Sequence, residues 1–132
     1  MNQELSSIID QVSDHDQRYK QDAYYFVMEA LSFTQRKFKS ASHVTSDEIL
    51  YGMRELLLIK FGPMTMMVLK YWGIHATEDF GNIIFSLVEN KVLSKTEEDD
   101  ISKFRNGYDF NEVFIKGYRK RLHKKISRMR SI

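Results

Sequence analysis

The chain has 132 residues, 42% hydrophobic and 13% aromatic, which suits one domain with its own core and excludes a wholly disordered protein. It contains no cysteine, so disulfide frameworks, thiolate nucleophiles and cysteine zinc sites are excluded. The net charge of +2 conceals a split: residues 1–110 carry 12 basic and 17 acidic side chains, net −5, whereas residues 111–132 carry 8 and 1, net +7.

The first residues, MNQELSSIIDQVSDHDQ, lack the basic and apolar regions of a secretory signal. The longest apolar runs, 56–59 and 66–69, fall far short of the ~20 residues a membrane-spanning helix needs. These features predict a soluble, cytoplasmic protein. Leu5, Ile8, Ile9 and Val12 fall at helical spacing and predict a short helix over 3–15, broken at Asp14, His15 and Asp16. Tyr19, Ala23, Phe26, Val27, Ala30, Leu31 and Thr34 mark one face of a second helix reaching about Phe38, followed by a small polar loop over 39–43.

Thr45 and Glu48 form a capping box, with Val44 and Ile49 as its hydrophobic staple, so a third helix starts here and runs to Lys60. Gly62 ends it, and Pro63 suits the first turn of the next helix, where its missing N–H costs nothing. That helix, 63–72, is nearly all apolar and is expected to be buried on most sides until Gly73 stops it. Thr77 is the expected cap of another helix, with Glu78 and Asp79 at its dipole-favoured start, Phe80, Ile83, Ile84, Leu87 and Val88 on its apolar face and Asn90 as a left-handed stop. Beyond it, Val92 to Lys95 reads as a short strand or extended turn, 96–100 as an acidic loop, and 101–104 as one helical turn. Asn106-Gly107 is a turn signal that would close a hairpin if 108–110 were a strand. The preferred reading is a second capping box, Asp109 with Glu112 and Tyr108 with Val113 as staple, opening a final helix that aligns Phe114, Ile115, Tyr118, Leu122, Ile126 and Met129.

Gly52 and Gly81 lie inside helices, where each costs ~1 kcal/mol against Ala, and are best explained by close packing. Asp79-Phe80-Gly81 spells the metal-binding triplet of protein kinases, but the chain has neither the length nor the companion motifs. His15, His43, His75 and His123 have no metal-ligand spacing and read as solvated, with His43 or His75 the candidates for any acid–base role. Glu97, Glu98, Asp99 and Asp100 lack the alternation and central glycine of a calcium loop. No cofactor and no metal site is therefore expected. The methionines and aromatics of 64–72 read first as core and second as an adaptable binding groove.

The sharpest feature is the basic segment KGYRKRLHKKISRMR, which places Lys116, Arg119, Lys120, Lys124 and Arg128 on one helical side and Leu122, Ile126 and Met129 on another. It suits nucleic-acid phosphates, an anionic membrane surface or acidic protein partner as the lesser alternatives, or a solvated helix whose apolar stripe docks on the body. Helix 63–72, the turn 73–76 and helix 77–89 with the tail after it also have a winged-helix-like layout. The outward positions Glu78, Asp79, Asn82, Ser86 and Glu89 are too acidic for a DNA reader, so this face is assigned to protein contact through Glu78, Asp79, Asn82 and Ser86.

His43-Val44, Glu48-Ile49-Leu50 with Gly52, Phe61-Gly62, Trp72-Gly73, Thr77 with Asp79-Phe80-Gly81, Leu87-Val88-Glu89, Asp99-Asp100 with Phe104, and Tyr108-Asp109-Phe110 together form an ordered pattern. Over residues 5–115 it resembles an uncharacterised family of small bacterial proteins, the Minf-type hypothetical proteins. The resemblance implies a compact bacterial cytoplasmic domain and brings no activity or catalytic residue. The chain is thus expected to fold as a mostly α domain of five to six helices over 1–115, winged-helix-like with a small β-hairpin near 92–108, followed by a basic arm over 116–132. Its expected role is a non-enzymatic interaction module with that arm. A winged-helix-like nucleic-acid-binding or regulatory protein is the alternative, and a small enzyme the second.

Overall fold

The computed structural model describes residues 3–39, 44–94 and 101–130. The protein is mostly helical: α1 (Gln3–His15), α2 (Gln21–Lys37), α3 (Ser46–Phe61), α4 (Thr65–Trp72), α5 (Thr77–Glu89) and α6 (Tyr118–Arg130). A 3-10 turn, Gly62–Met64, links α3 to α4, another lies at Ile101–Phe104, and a π-helical stretch, Asn111–Gly117, feeds directly into α6.

The α2–α3 pair is the backbone of the packing, and glycine makes it possible. A Cβ on Gly52 would lie 1.8 Å from Thr34 Oγ1, so α3 can approach α2 this closely only with hydrogen at that position. Thr34 is fully buried and satisfies its hydroxyl by donating to the Ala30 carbonyl at 2.6 Å. Val27, Met53, Leu57, Phe80, Ile83 and Leu87, all fully buried, join α2, α3 and α5 in one core. On one flank, Trp72 packs against Phe26 and Phe61 at ring-centroid distances of 5.3 and 5.6 Å. On the other, Phe110 packs against Phe80 and Phe114 at 5.9 and 5.5 Å.

The start of α3 forms as its sequence dictates. Glu48 N donates to Thr45 Oγ1 at 3.1 Å, Thr45 N donates to Glu48 Oε1 at 2.9 Å, and both staple residues, Val44 and Ile49, are buried. Gly73 ends α4 with φ 86°, and a Cβ there would lie 2.1 Å from the Arg18 carbonyl oxygen. The Arg18–Lys20 segment of the α1–α2 connection therefore lies directly on the Gly73 corner, where Lys20 N donates to the Trp72 carbonyl at 3.2 Å.

Several expectations are corrected. Thr77 is the first residue of α5 and not its cap. The carboxylate of Asp79 instead receives the backbone N–H groups of His75 and Ala76 at 2.8 and 3.1 Å. Thr77 Oγ1, buried, donates to the Phe104 carbonyl at 2.6 Å and accepts from Gly107 N at 3.0 Å, so it fastens the following segment to α5. Asn90 has φ −92°, and Lys91, at φ 61°, is the left-handed residue that stops α5, with Val92 N bonded to the Leu87 carbonyl and Lys91 N to that of Val88.

No strand occurs among the described residues. Val92 to Ser94 bends and Ile101–Phe104 is a 3-10 turn, so the hairpin expected near 92–108 is not seen there; the acidic loop 96–100 lies outside the described residues. The second capping box is half made: Glu112 N donates to Asp109 Oδ1 at 3.0 Å, while the Glu112 carboxylate pairs with Lys116 at 3.0 Å. Helix α4 is not buried on most sides, for Leu69 and Trp72 face inward while Met64, Met67 and Tyr71 are exposed.

Candidate interaction surfaces

Arg119, Lys120, Arg121, Lys124, Lys125, Arg128 and Arg130 lie on α6 with no acidic residue between them. None of the helix's residues is buried. The predicted contact residues Arg119, Lys120, Lys124 and Arg128 are therefore all exposed together, and Lys116, one turn earlier on the π-helical stretch, joins them while paired with Glu112. Arg121 ties α6 to the body through an ion pair with Glu55 of α3 at 3.5 Å. Tyr118, Arg121, Leu122 and Lys125 wall a crevice against Phe33, Leu58 and Ile59. Leu122 stands at this crevice 43% exposed, and beyond it Ile126 and Met129 are 46% and 64% exposed.

A second surface lies between α2 and α4. Phe26, Phe61, Val68 and Trp72 form the floor of an open groove of about 710 Å³, with Met64, Met67 and Tyr71 as one wall and Tyr25 on the other. Asp22 and Glu29 stand on its α2 rim, and Lys60 crosses to Glu29 at 2.8 Å. Met67 (61% exposed) and Tyr71 (67%) stand outside the core that 64–72 was first expected to form.

The face assigned to α5 is divided by its internal bonds. Asp79 Oδ1 accepts the Tyr19 hydroxyl at 2.5 Å, and Tyr19 Oη accepts from Asn82 Nδ2 at 3.1 Å. Asp79 and Asn82 thus hold the α1–α2 connection, while Glu78 is exposed and Ser86 lines a polar cleft with His15, Asp16, Arg18, Phe85 and Glu89. Burial and the Asp79 carboxylate push the Tyr19 phenol well above its ordinary range. In the same cleft, Arg18 forks onto Asp16 at 2.9 and 2.7 Å and holds that carboxyl below its ordinary range. Tyr19 is only 3% exposed, so this cluster fastens the chain and presents no accessible phenol for proton transfer.

His15, His75 and His123 are exposed and stand on separate elements; His43 lies outside the described residues. Among the described residues, no group of histidines and carboxylates could hold a metal ion, and no helix is long and apolar enough to cross a membrane. Sequence reasoning missed Tyr19, Thr77 and Tyr108 as ties. Tyr108 Oη donates to the Leu50 carbonyl at 2.8 Å, 58 residues away, and no local pattern announces such a bond. Comparison with family models, curated proteins and solved structures finds no match for the chain.

Proposed function

We propose that this protein is a non-enzymatic interaction module that binds a polyanion, nucleic-acid phosphates in the first place, through the cationic face of α6. The observation that carries this reading is seven Lys and Arg side chains on one exposed helix with no acid among them. Such an array neutralises phosphates and releases their counterions, which gives affinity without base readout. Arginine adds bidentate geometry toward phosphate oxygens. The α4–turn–α5 unit keeps a helix-turn-helix layout, but Glu78 and Glu89 stand exposed on α5, and Asp79 and Asn82 are committed to Tyr19. It is assigned to packing and protein contact, and a winged-helix mode of reading DNA is not favoured.

Fluorescence anisotropy with labelled duplex DNA and RNA, from about 50 to 200 mM salt, tests the proposal. Affinity is expected to fall with a log–log slope of about −0.9 for each phosphate contacted on a duplex. The triple variant Lys120→Gln, Lys124→Gln, Arg128→Gln flattens that slope. Full-length protein that binds neither nucleic acid at low salt refutes the reading.

A further inference from the structure

The close crossing at Gly52 brings the end of α2 alongside the first half of α3, and aromatic rings meet cations there. Lys37 Nζ lies 5.9 Å from the ring centre of Phe33, one turn back on α2, and 5.5 Å from that of Tyr51 on α3. The Phe38 and Tyr51 rings meet edge to face at 6.0 Å, and the Arg54 guanidinium lies 4.8 Å over Tyr51. Phe38 and Tyr51 are exposed, and Phe33 is half-buried. This row runs into the crevice under α6, an open space of about 310 Å³ to which Phe33 and Lys37 contribute from the body and Tyr118, Arg121 and Lys125 from the α6 side. Among the described residues lining it, Glu55 is the one carboxylate, and Arg121 pairs with it. No ion pair among the described residues engages Lys37 or Lys125. Arg128 lies seven residues beyond Arg121, about 20° short of two full turns, so it extends the Arg121–Lys125 row along α6.

Phosphates alone would use the cations of this surface and leave its rings idle. A duplex keeps its bases paired and stacked inside, where Phe38 and Tyr51 do not reach them. Resting on the polyanion reading of α6 and narrowing it, we infer that the ligand is a single-stranded nucleic acid. Its backbone tracks Arg121, Lys125 and Arg128, while its unstacked bases lie on Phe38 and Tyr51 and one enters the crevice beside Phe33 and Tyr118. Lys37, which covers two of the rings in the free protein, moves to a phosphate and opens the Tyr51 face to a base. Every base has a π face, so this recognition tolerates changes of sequence.

Fluorescence anisotropy on the full-length protein tests this with three labelled probes of equal length, about 16 units. They are oligothymidylate, an abasic strand with the same phosphates and no bases, and oligothymidylate paired with oligoadenylate. Oligothymidylate is expected to bind at least about 10-fold tighter than the abasic strand, since one stacked base is worth roughly 5- to 150-fold in affinity. It should also bind tighter than the duplex, although the duplex carries the denser charge. The double variant Phe38→Leu, Tyr51→Leu changes two exposed positions, and circular dichroism checks its fold. It should lose most of the preference for oligothymidylate and keep the salt slope and the abasic affinity, because neither ring carries charge. Equal binding of oligothymidylate and the abasic strand overturns the inference and leaves the polyanion reading standing. A duplex that binds tighter than the single strand does the same, as does a folded double variant that binds oligothymidylate like the wild type. Failure to bind any of the three at about 50 mM salt overturns both. Should the double variant unfold, the comparison of the three probes on the wild type still decides.

Discussion

The α2–α3 crossing and α6 are the two extremes of this molecule. At the crossing, Gly52 and Thr34 meet so closely that one added carbon has nowhere to go. On α6, not one residue is buried. A side chain at the crossing is fixed by shape, whereas the side chains of α6 are largely in solvent and open to selection by whatever they touch. Stability and recognition are therefore held by different parts of the chain, and mutations should separate them.

The largest effect is expected where backbone approach is tightest. Gly52→Val and Gly73→Val each force bulk into a filled space, the first against Thr34 and the second against the Arg18 carbonyl from a left-handed backbone. Each should cost about 3 kcal/mol or more, read as a lower midpoint in urea unfolding. Thr77→Val comes next. It removes the hydroxyl shared by Phe104 and Gly107 and should cost about 2 kcal/mol, whereas Thr77→Ser, which keeps both bonds, should recover most of it.

Alkaline pH should act on the body through its buried phenols. Tyr24 is pushed up to about 12, and Tyr19 and Tyr108 further, chiefly by burial, from an ordinary value of 10.0. Below pH 10 native and unfolded chains both keep these protons. Above it the unfolded chain releases them while the native chain holds them, so stability falls as pH rises. Thermal melts at stepped pH should show this decline beginning near pH 10, and Tyr108→Phe should make it shallower. An unchanged melting temperature across pH 9 to about 12 would contradict the burial of these hydroxyls.

Smaller still, and opposite in sign, Lys91→Gly should stabilise by about 1 kcal/mol because it relieves a positive φ at the end of α5. At the foot of the scale, removal of residues 119–132 should leave the melting temperature within a degree or two, while abolishing polyanion binding. A large loss of stability on that truncation would erase the distinction between the two regions.

Where local chemistry decides, the fold was readable before any coordinates. Thr45 and Glu48 announce the start of α3, and Gly62 and Gly73 announce two stops, because each acts on backbone groups a few residues away. Thr77 misled because a threonine before acidic residues looks like a cap, and nothing nearby shows that its hydroxyl is claimed by Phe104 and Gly107. Asp79 is similar: its position in the first turn was legible, but its partner Tyr19 lies 60 residues earlier. Lys91 escaped notice because the usual stop signal is Gly or Asn, and Asn90 stood beside it. The cationic side of α6 was fully legible, since charge needs no tertiary partner to be seen. The α2–α4 groove was legible only as an abundance of methionine, for the sequence alone does not say which methionines turn outward.

The absence of burial on α6 also has a thermodynamic consequence. A helix of 13 residues that buries no side chain draws little from tertiary packing, and seven like charges push it toward coil. Whatever neutralises those charges, or covers the stripe, then adds helical order as it binds. The arm thus reports its own occupancy: a rise in far-ultraviolet helicity on adding a polyanion, together with slower tryptic cleavage at its lysines and arginines, would register binding without any knowledge of the ligand's identity.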